Sequence, residues 1–307
     1  MLISILIPAF NQPQYIQQAV KSALDQDYGQ LEVIVCDDST DQKTMDNIQP
    51  FLSDSRFVYH KNKKRLGRVA NYRKLLFELA KGEWVLMLDG DDYLTDPKYI
   101  SKAVRLIRQN ESLVLVGAGT KVLNESSGEQ TSSGLGDSNL IFDGKEIFSK
   151  FQGLPNHQTD IYNRRIACEL DFYRDPSTAS DSESLYRLCL RGKVAYLAET
   201  AAVWRVHDSN TTYSRKINTQ VKELVFIDNV YDEAVNYLDK KTADRWRTHM
   251  YKSMSLHLLG MSFSTRNYIQ VVKIILRFGK FLGWKLSASY LLQIVGFSRQ
   301  PSSPSTQ

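Results

Sequence analysis

A chain of 307 residues with 42% hydrophobic and 24% charged content has the composition of a globular protein, which excludes global disorder and leaves room for one large α/β domain with an appendage. Its formal net charge of +5 is unevenly spread: nine of the 39 Lys and Arg, and none of the 34 acids, lie beyond Asp244. Three scattered cysteines, Cys36, Cys168 and Cys189, have no CxxC spacing, so structural zinc and a disulfide framework are not expected, in keeping with a reducing cytosol.

Residues 2–7, Leu-Ile-Ser-Ile-Leu-Ile, form an apolar run ended by Pro8. No basic region precedes it, so it reads as a buried first strand and not a signal peptide. Ala9-Phe10-Asn11-Gln12 is the loop beyond its end, and Pro13 opens a helix whose apolar positions Ile16, Ala19, Val20, Ala23 and Leu24 keep the spacing of one buried face. Leu31–Cys36 is a second strand that empties into Asp37-Asp38-Ser39-Thr40-Asp41. A helix over about 42–52, a short strand at Phe57–Tyr59 and a basic loop from Asn62 to Arg68 follow. That loop leads into a helix closed by Gly82. The next strand, Trp84–Asp89, runs straight into Gly90, Asp91 and Asp92. A helix from Pro97 to Gln109 and a strand at Leu113–Gly117 complete an alternation that predicts a parallel sheet wrapped by helices.

Three successive strand ends thereby deliver Pro8/Ala9/Phe10, Asp37/Asp38 and Asp89/Asp91/Asp92 to one sheet edge, because right-handed crossovers keep parallel strands pointing the same way. Ligands bind outside such ends in open α/β sheets. Asp89, Asp91 and Asp92 repel one another unless a cation sits among them, and a hard divalent ion, Mg²⁺ or Mn²⁺, takes oxygen ligands of this kind. Gly90 lets the backbone turn sharply and leaves room for a ligand. A solvated acidic loop capping the next helix is the alternative. Beyond it, 120–140 reads as a loop or hairpin, 141–175 has a weak pattern, Asp181–Leu190 resembles a helix, and Lys193–Leu197 reads as a strand. There is no internal repeat and no Walker-type motif.

Taken together, several motifs resemble the family 2 glycosyltransferases, especially bacterial enzymes that build surface polysaccharides. They are Ile5-Leu6-Ile7-Pro8-Ala9-Phe10-Asn11, Val35-Cys36-Asp37-Asp38-Ser39-Thr40-Asp41, Gly67 with Asn71, Leu88-Asp89-Gly90-Asp91-Asp92, Asp181-x-Glu183 with Arg187, and Arg205-Val206-His207. The resemblance runs from residue 2 to about 210. It implies a Rossmann-like, mostly parallel sheet with helices on both faces, a UDP-sugar donor, a divalent metal, and transfer with inversion at the anomeric carbon to a saccharide or lipid-linked acceptor. It places Pro8, Ala9, Phe10 and Asn11 on the nucleotide side. Asp38 matches the acceptor of a uracil hydrogen bond, and a carboxylate can take the uracil N3–H. Arg68 lies near base or phosphate, Asp89 and Gly90 near the ribose, and Asp91, Asp92 and His207 at the metal. Asp181 aligns with the catalytic base, and Glu183 and Arg205 are assigned to acceptor or phosphate. Two departures stand out: Asp38 runs directly into Ser39, shortening that loop by one residue, and Ser180 takes the place of an acid before Asp181.

The C-terminal part reads as helices around Val221–Tyr237 and Asp244–Leu259, then apolar blocks over 267–297. Lys273, Arg277 and Lys280 share one helical face there, with Ile269, Val272, Ile275, Leu276 and Leu282 mostly on other sides. Such a helix suits an anionic membrane surface at the inner face of the cell membrane, or packing on the catalytic body or on a second copy of the chain. The expected division is a catalytic domain over 1–215, a basic helical segment over 216–298 and a disordered tail over 299–307. A sugar-nucleotide nucleotidyltransferase and a non-catalytic nucleotide-sugar-binding scaffold are the competing functions. No nucleic-acid-binding motif is present.

Overall fold

The computed structural model describes residues 1–210 and 216–298; the tail expected over 299–307 lies outside them. The chain divides into two compact units, Met1–Tyr213 and Ser214–Gln307. The first unit opens with β1 (Ile3–Ala9), α1 (Pro13–Leu24), β2 (Leu31–Asp37), α2 (Lys43–Ile48), β3 (Phe57–Lys61), α3 (Arg68–Lys74) continued by a π-helical turn over Leu75–Leu79, and β4 (Trp84–Met87). β4 is an unbroken apolar run, and β1 and β2 are apolar apart from Ser4, Glu32 and the terminal Asp37, because both their faces are covered. Ile3, Ile5, Ile7, Val33, Val35 and Leu86 join one core with Ile16, Ala19 and Val20 of α1. Alternate residues Leu6, Ile34 and Val85 are buried on the opposite face, where the turn carrying Leu75 and Leu76 packs on β1.

The chain continues through β5 (Tyr93–Leu94), α4 (Tyr99–Gln109), β6 (Leu113–Asn124), β7 (Gln130–Ser133), β8 (Leu140–Asp143), α5 (Glu146–Lys150), β9 (Ile161–Asn163), α6 (Arg164–Glu169), α7 (Ser180–Cys189) and β10 (Lys193–Val206). The sheet order is β3-β2-β1-β4-β9-β6-β10-β5, with β7 on β6 and β8 on β10. β3, β2, β1 and β4 are parallel neighbours, and β6 is parallel to β10. The sheet departs from a purely parallel one at β9, which runs antiparallel between β4 and β6. Two strands are longer than the sequence reading: β6 reaches Asn124 and β10 reaches Val206, paired along their length with register shifts between Leu197 and Ala202. β6 and β7 form the hairpin expected in 120–140.

The second unit is helical: α8 (Ile217–Glu223), α9 (Phe226–Ala234), α10 (Lys240–Ser264), α11 (Tyr268–Leu282) and α12 (Trp284–Ser298). The single helix expected over Val221–Tyr237 is two. Asp239 and Asn267 cap α10 and α11, accepting from the backbone N–H of Thr242 and Gln270. In α11 the buried face is Val271, Ile274, Ile275, Phe278 and Leu282. That fixes the helix rotation and corrects the sequence reading: Ile269, Val272 and Leu276 are exposed, on the same side as Lys273 and Lys280. Among the described residues, no helix is long and apolar enough to cross a membrane.

Candidate active site

Because β1, β2 and β4 are adjacent and parallel, their carboxyl ends open on one edge of the sheet. The acidic turn after β4 is pressed against the end of β1. The Gly90 N–H donates to the Pro8 carbonyl at 3.2 Å, and a Cβ on Gly90 would stand 2.9 Å from that oxygen. Only glycine allows this approach. Asp89, Asp91 and Asp92 each present a carboxylate oxygen within 4.8 Å of the others. Burial, then Asp89, pushes the Asp91 carboxyl up; burial, then Asp91 and Asp89, pushes Asp92 far above the usual carboxylate range. Acids that raise one another gain from a cation between them, and this all-oxygen donor set suits Mg²⁺ or Mn²⁺.

Asp91 is aimed by three side chains. Its Oδ2 accepts from Gln12 Nε2 at 2.7 Å and Asn210 Nδ2 at 3.3 Å, and His207 Nε2 lies 3.1 Å away. His207 stacks on Tyr15 with ring centroids 4.9 Å apart, and its Nδ1 lies 2.8 Å from Ser209 Oγ. The ring is thereby oriented from both sides, as imidazoles at metal centres are. The extension of β10 to Val206 brings His207 here. Gln12 and Asn210 have no role in the sequence reading, since single amides carry no spacing signal.

On the β2 side, Asp38 is almost wholly buried. Its Oδ1 accepts from Asn62 Nδ2 (3.1 Å) and the Leu66 N–H (2.7 Å), and its Oδ2 from the Gly67 N–H (2.7 Å). Three of about four lone-pair sites of the carboxylate are filled, so Asp38 pins the basic loop and keeps one site for a ligand donor. Gly67 adopts φ +90, a conformation glycine takes without strain. Asn11 adopts φ +52 and donates its N–H to Ser39 Oγ at 2.7 Å. The Arg65 guanidinium, a further residue missed in the sequence, lies 4.2 Å over the Phe10 ring.

Arg68 joins the two halves of the site. It donates through Nε to the Tyr72 hydroxyl at 3.1 Å and through a terminal nitrogen to the Thr178 carbonyl at 3.3 Å, and lies 3.5 Å from Asp181 Oδ2. Tyr72 in turn donates to Asp89 Oδ1. One chain of contacts therefore runs from the acidic turn to Asp181. Asp181 sits in the first turn of α7, two residues inside the cap position held by Ala179, and accepts from the Ser182 N–H at 2.7 Å. Near it lies another unassigned acid, Asp160. It is 1% exposed, neither carboxyl oxygen has a hydrogen-bond partner, and burial, with Asp181 adding to it, drives its carboxyl well up.

Two expected site residues are employed elsewhere. Glu183 is 0% exposed; it accepts from Arg174 Nε at 2.9 Å and from Arg187 at 3.2 Å, tying α7 to the segment before it and leaving no face for an acceptor. Arg205 is sandwiched over Tyr15 and Tyr93 (5.0 and 4.6 Å to the ring centroids). Its N–H donates to Asp92 Oδ1 at 2.8 Å and its guanidinium to the Asp91 carbonyl at 3.2 Å and to Gln18. It braces the acidic turn from behind and is 6% exposed, which replaces the expected contact with phosphate or acceptor.

A sheet whose strand ends gather three acids, joined through an arginine and a tyrosine to a fourth on a helix, defines a glycosyltransferase of the A-type fold. A model of glycosyl transferase family 2 matches residues 4–165, and the chain belongs to that family. It is 40% identical over 97 residues, 32% of its length, to the Escherichia coli UDP-Glc:alpha-D-GlcNAc-diphosphoundecaprenol beta-1,3-glucosyltransferase WfaP. It is 26% identical over 79% of its length to a chondroitin synthase of Pasteurella multocida. The chain spans 38% and 26% of those two relatives. S. aureus TarS 1–349 in complex with UDP-GlcNAc superposes with a TM-score of 0.73 at 18% identity, covering 94% of this chain and 83% of that one. These likenesses at low identity show the fold.

Proposed function

We propose that the protein transfers a sugar, with inversion, from a UDP-sugar to a hydroxyl of a saccharide or lipid-linked acceptor in bacterial surface-polysaccharide synthesis. The observation that carries the reading is the continuous link Asp89–Tyr72–Arg68–Asp181, which sets a candidate base beside a candidate metal–diphosphate site. The relatives support it: one is named for a UDP-Glc donor and a diphosphoundecaprenol-linked acceptor, and one structural neighbour holds UDP-GlcNAc. In this reading residues 1–215 form the catalytic domain. Pro8, Ala9, Phe10, Asn11, Asp38, Arg68, Asp89 and Gly90 receive the nucleoside, and the remaining lone pair of Asp38 takes the uracil N3–H.

Asp91, Asp92 and His207 are the residues that would hold Mn²⁺ or Mg²⁺. A cation bound there supplies positive charge against the diphosphate as it leaves. Asp181 removes the acceptor hydroxyl proton while that oxygen bonds to the anomeric carbon and the carbon–phosphate oxygen bond breaks, releasing UDP. Attack opposite the leaving group inverts the anomeric centre. The acceptor is met at the inner face of the cell membrane, to which the helical segment brings the enzyme.

The test is thermal stability with UDP, GDP or dTDP, each with Mn²⁺ or EDTA, for the wild type and Asp91→Asn. A nucleotide at about 100 times its Kd stabilises by about 2.7 kcal/mol. A shift with UDP that needs metal and is lost in the variant is the expected result. No shift with any nucleotide under either condition overturns the donor site and brings forward the scaffold reading.

A further inference from the structure

The helical unit carries chemistry that sugar transfer does not use. Between α9, α10 and α11 lies a pocket of about 190 Å³ whose wall includes Asp228, Arg247, Tyr251, Arg277, Lys280 and Phe281. The Arg247 guanidinium pairs with Asp228 at 2.8 Å. Arg277 and Lys280 pair with no carboxylate among the described residues, so the pocket wall keeps a net positive charge. Both cations are held over rings, Arg277 at 5.3 Å from Phe278 and Lys280 at 4.7 Å from Phe281, and Phe281 is stacked on Tyr251 at 4.4 Å. Both cations remain exposed.

Beside this pocket the surface is apolar. Ile269, Leu276, Trp284 and Leu292 are 73, 81, 76 and 71% exposed, an unusual density of large hydrophobic side chains for a surface in water. Ile269, Lys273, Leu276 and Lys280 recur at helical spacing along one side of α11, and Arg277, three residues before Lys280, borders that row. Lys285 lies 5.8 Å from the Trp284 ring at the start of α12. No acid interrupts the chain after Asp244. Large apolar side chains and basic residues along one side of α11, with an exposed tryptophan at the start of α12, match the interface of an anionic bilayer, where rings and aliphatic groups enter the acyl boundary and cations meet headgroups.

We propose that this unit docks on an anionic phospholipid surface, with the Ile269, Leu276 and Trp284 side chains in the interface and a headgroup phosphate between Arg277 and Lys280. The inference rests on the membrane half of the proposed function and supplies its surface; it is independent of the transfer chemistry. The full chain is centrifuged with vesicles of phosphatidylcholine alone and of phosphatidylcholine mixed with phosphatidylglycerol. Binding only to the mixed vesicles is expected, weakening with salt, with a blue shift of Trp emission that is absent in Trp284→Phe. Arg277→Ser with Lys280→Ser, and separately Leu276→Ser, each weaken binding by roughly tenfold; all three side chains are exposed, so folding is retained.

Equal binding to both vesicle types overturns the charge argument. Absence of binding to mixed vesicles overturns the proposal, and so does self-association that is abolished by Leu276→Ser without any vesicle binding. The UDP and Mn²⁺ thermal shift, measured on the same samples, separates the two readings: vesicle binding lost with the shift intact fails this inference alone, and the converse fails the donor site alone.

Discussion

In the proposed reaction Asp91 and Asp181 do different work, and their replacements are expected to fail differently. On that reading Asp181→Asn removes the proton acceptor, so kcat is expected to fall by roughly 10²–10⁴-fold, with a smaller change in KM for the UDP-sugar through the lost charge beside Arg68. Gln12→Ala removes a donor that aims Asp91 and is expected to weaken Mn²⁺ affinity by roughly 10–100-fold, read by titration of the metal in the presence of UDP. Asp160 makes a prediction about stability instead. Its folded-state carboxyl titrates well above the ordinary range, so as pH rises past the unfolded-state value the unfolded chain releases a proton the folded chain keeps, and stability falls through that window. Asp160→Asn lacks this loss. Its melting temperature is expected to exceed the wild type's at pH 8, the gap closing as pH falls toward 4. At this scale the acids were legible because charges crowded after an apolar run stand out. Gln12, Tyr72 and Asn210 were not, because their roles depend on side chains meeting across 79, 17 and 119 residues of separation.

Among the elements, α7 and the turn after β4 are the most exposed to substitution. Glu183→Gln removes a buried carboxylate from between Arg174 and Arg187 and is expected to cost about 3–5 kcal/mol, measured by denaturant unfolding. Gly90→Ala forces a methyl against the Pro8 carbonyl; a loss of about 1–3 kcal/mol is expected, with the UDP-dependent thermal shift reduced because the turn must move. β1, β2 and β4 could be read from sequence since strands buried on both faces are mostly apolar throughout, with only Ser4 and Glu32 interrupting them. β9 could not: Ile161-Tyr162-Asn163 is three residues long and takes its pairing from two strands distant in sequence. The length of β10 was hidden as well, because Glu199 and Thr200 interrupt the apolar pattern where its register against β6 shifts. Amphipathicity gave the existence of α11 and the buried side of Ile275 and Leu282, but misplaced Ile269, Val272 and Leu276, since exposed and buried hydrophobics are alike in composition.

For the whole molecule, the separation of a mildly acidic body from a basic helical end matters when donor and acceptor arrive from different phases. Confinement to a surface raises the effective concentration of an acceptor anchored there. Charge reversal at Lys273 and Lys280 is therefore expected to leave turnover with a water-soluble acceptor unchanged and to lower turnover with a lipid-linked acceptor in anionic vesicles, both followed by UDP release.

The reversed strand β9 also sets an order for building the molecule. Residues 1–87 contain the four parallel strands β3, β2, β1 and β4, although α4 and β6 complete the core they share, so that half-sheet is made first on the ribosome. The free edge of β4 then has no partner until Ile161–Asn163 has been made, some 75 residues later, and β6 cannot reach the half-sheet except through β9. A nascent chain halted in between presents an unpaired apolar edge, the kind that recruits other strands. The central gap of the sheet is closed by one of its shortest strands, and that closure is the step at which synthesis, folding and aggregation compete.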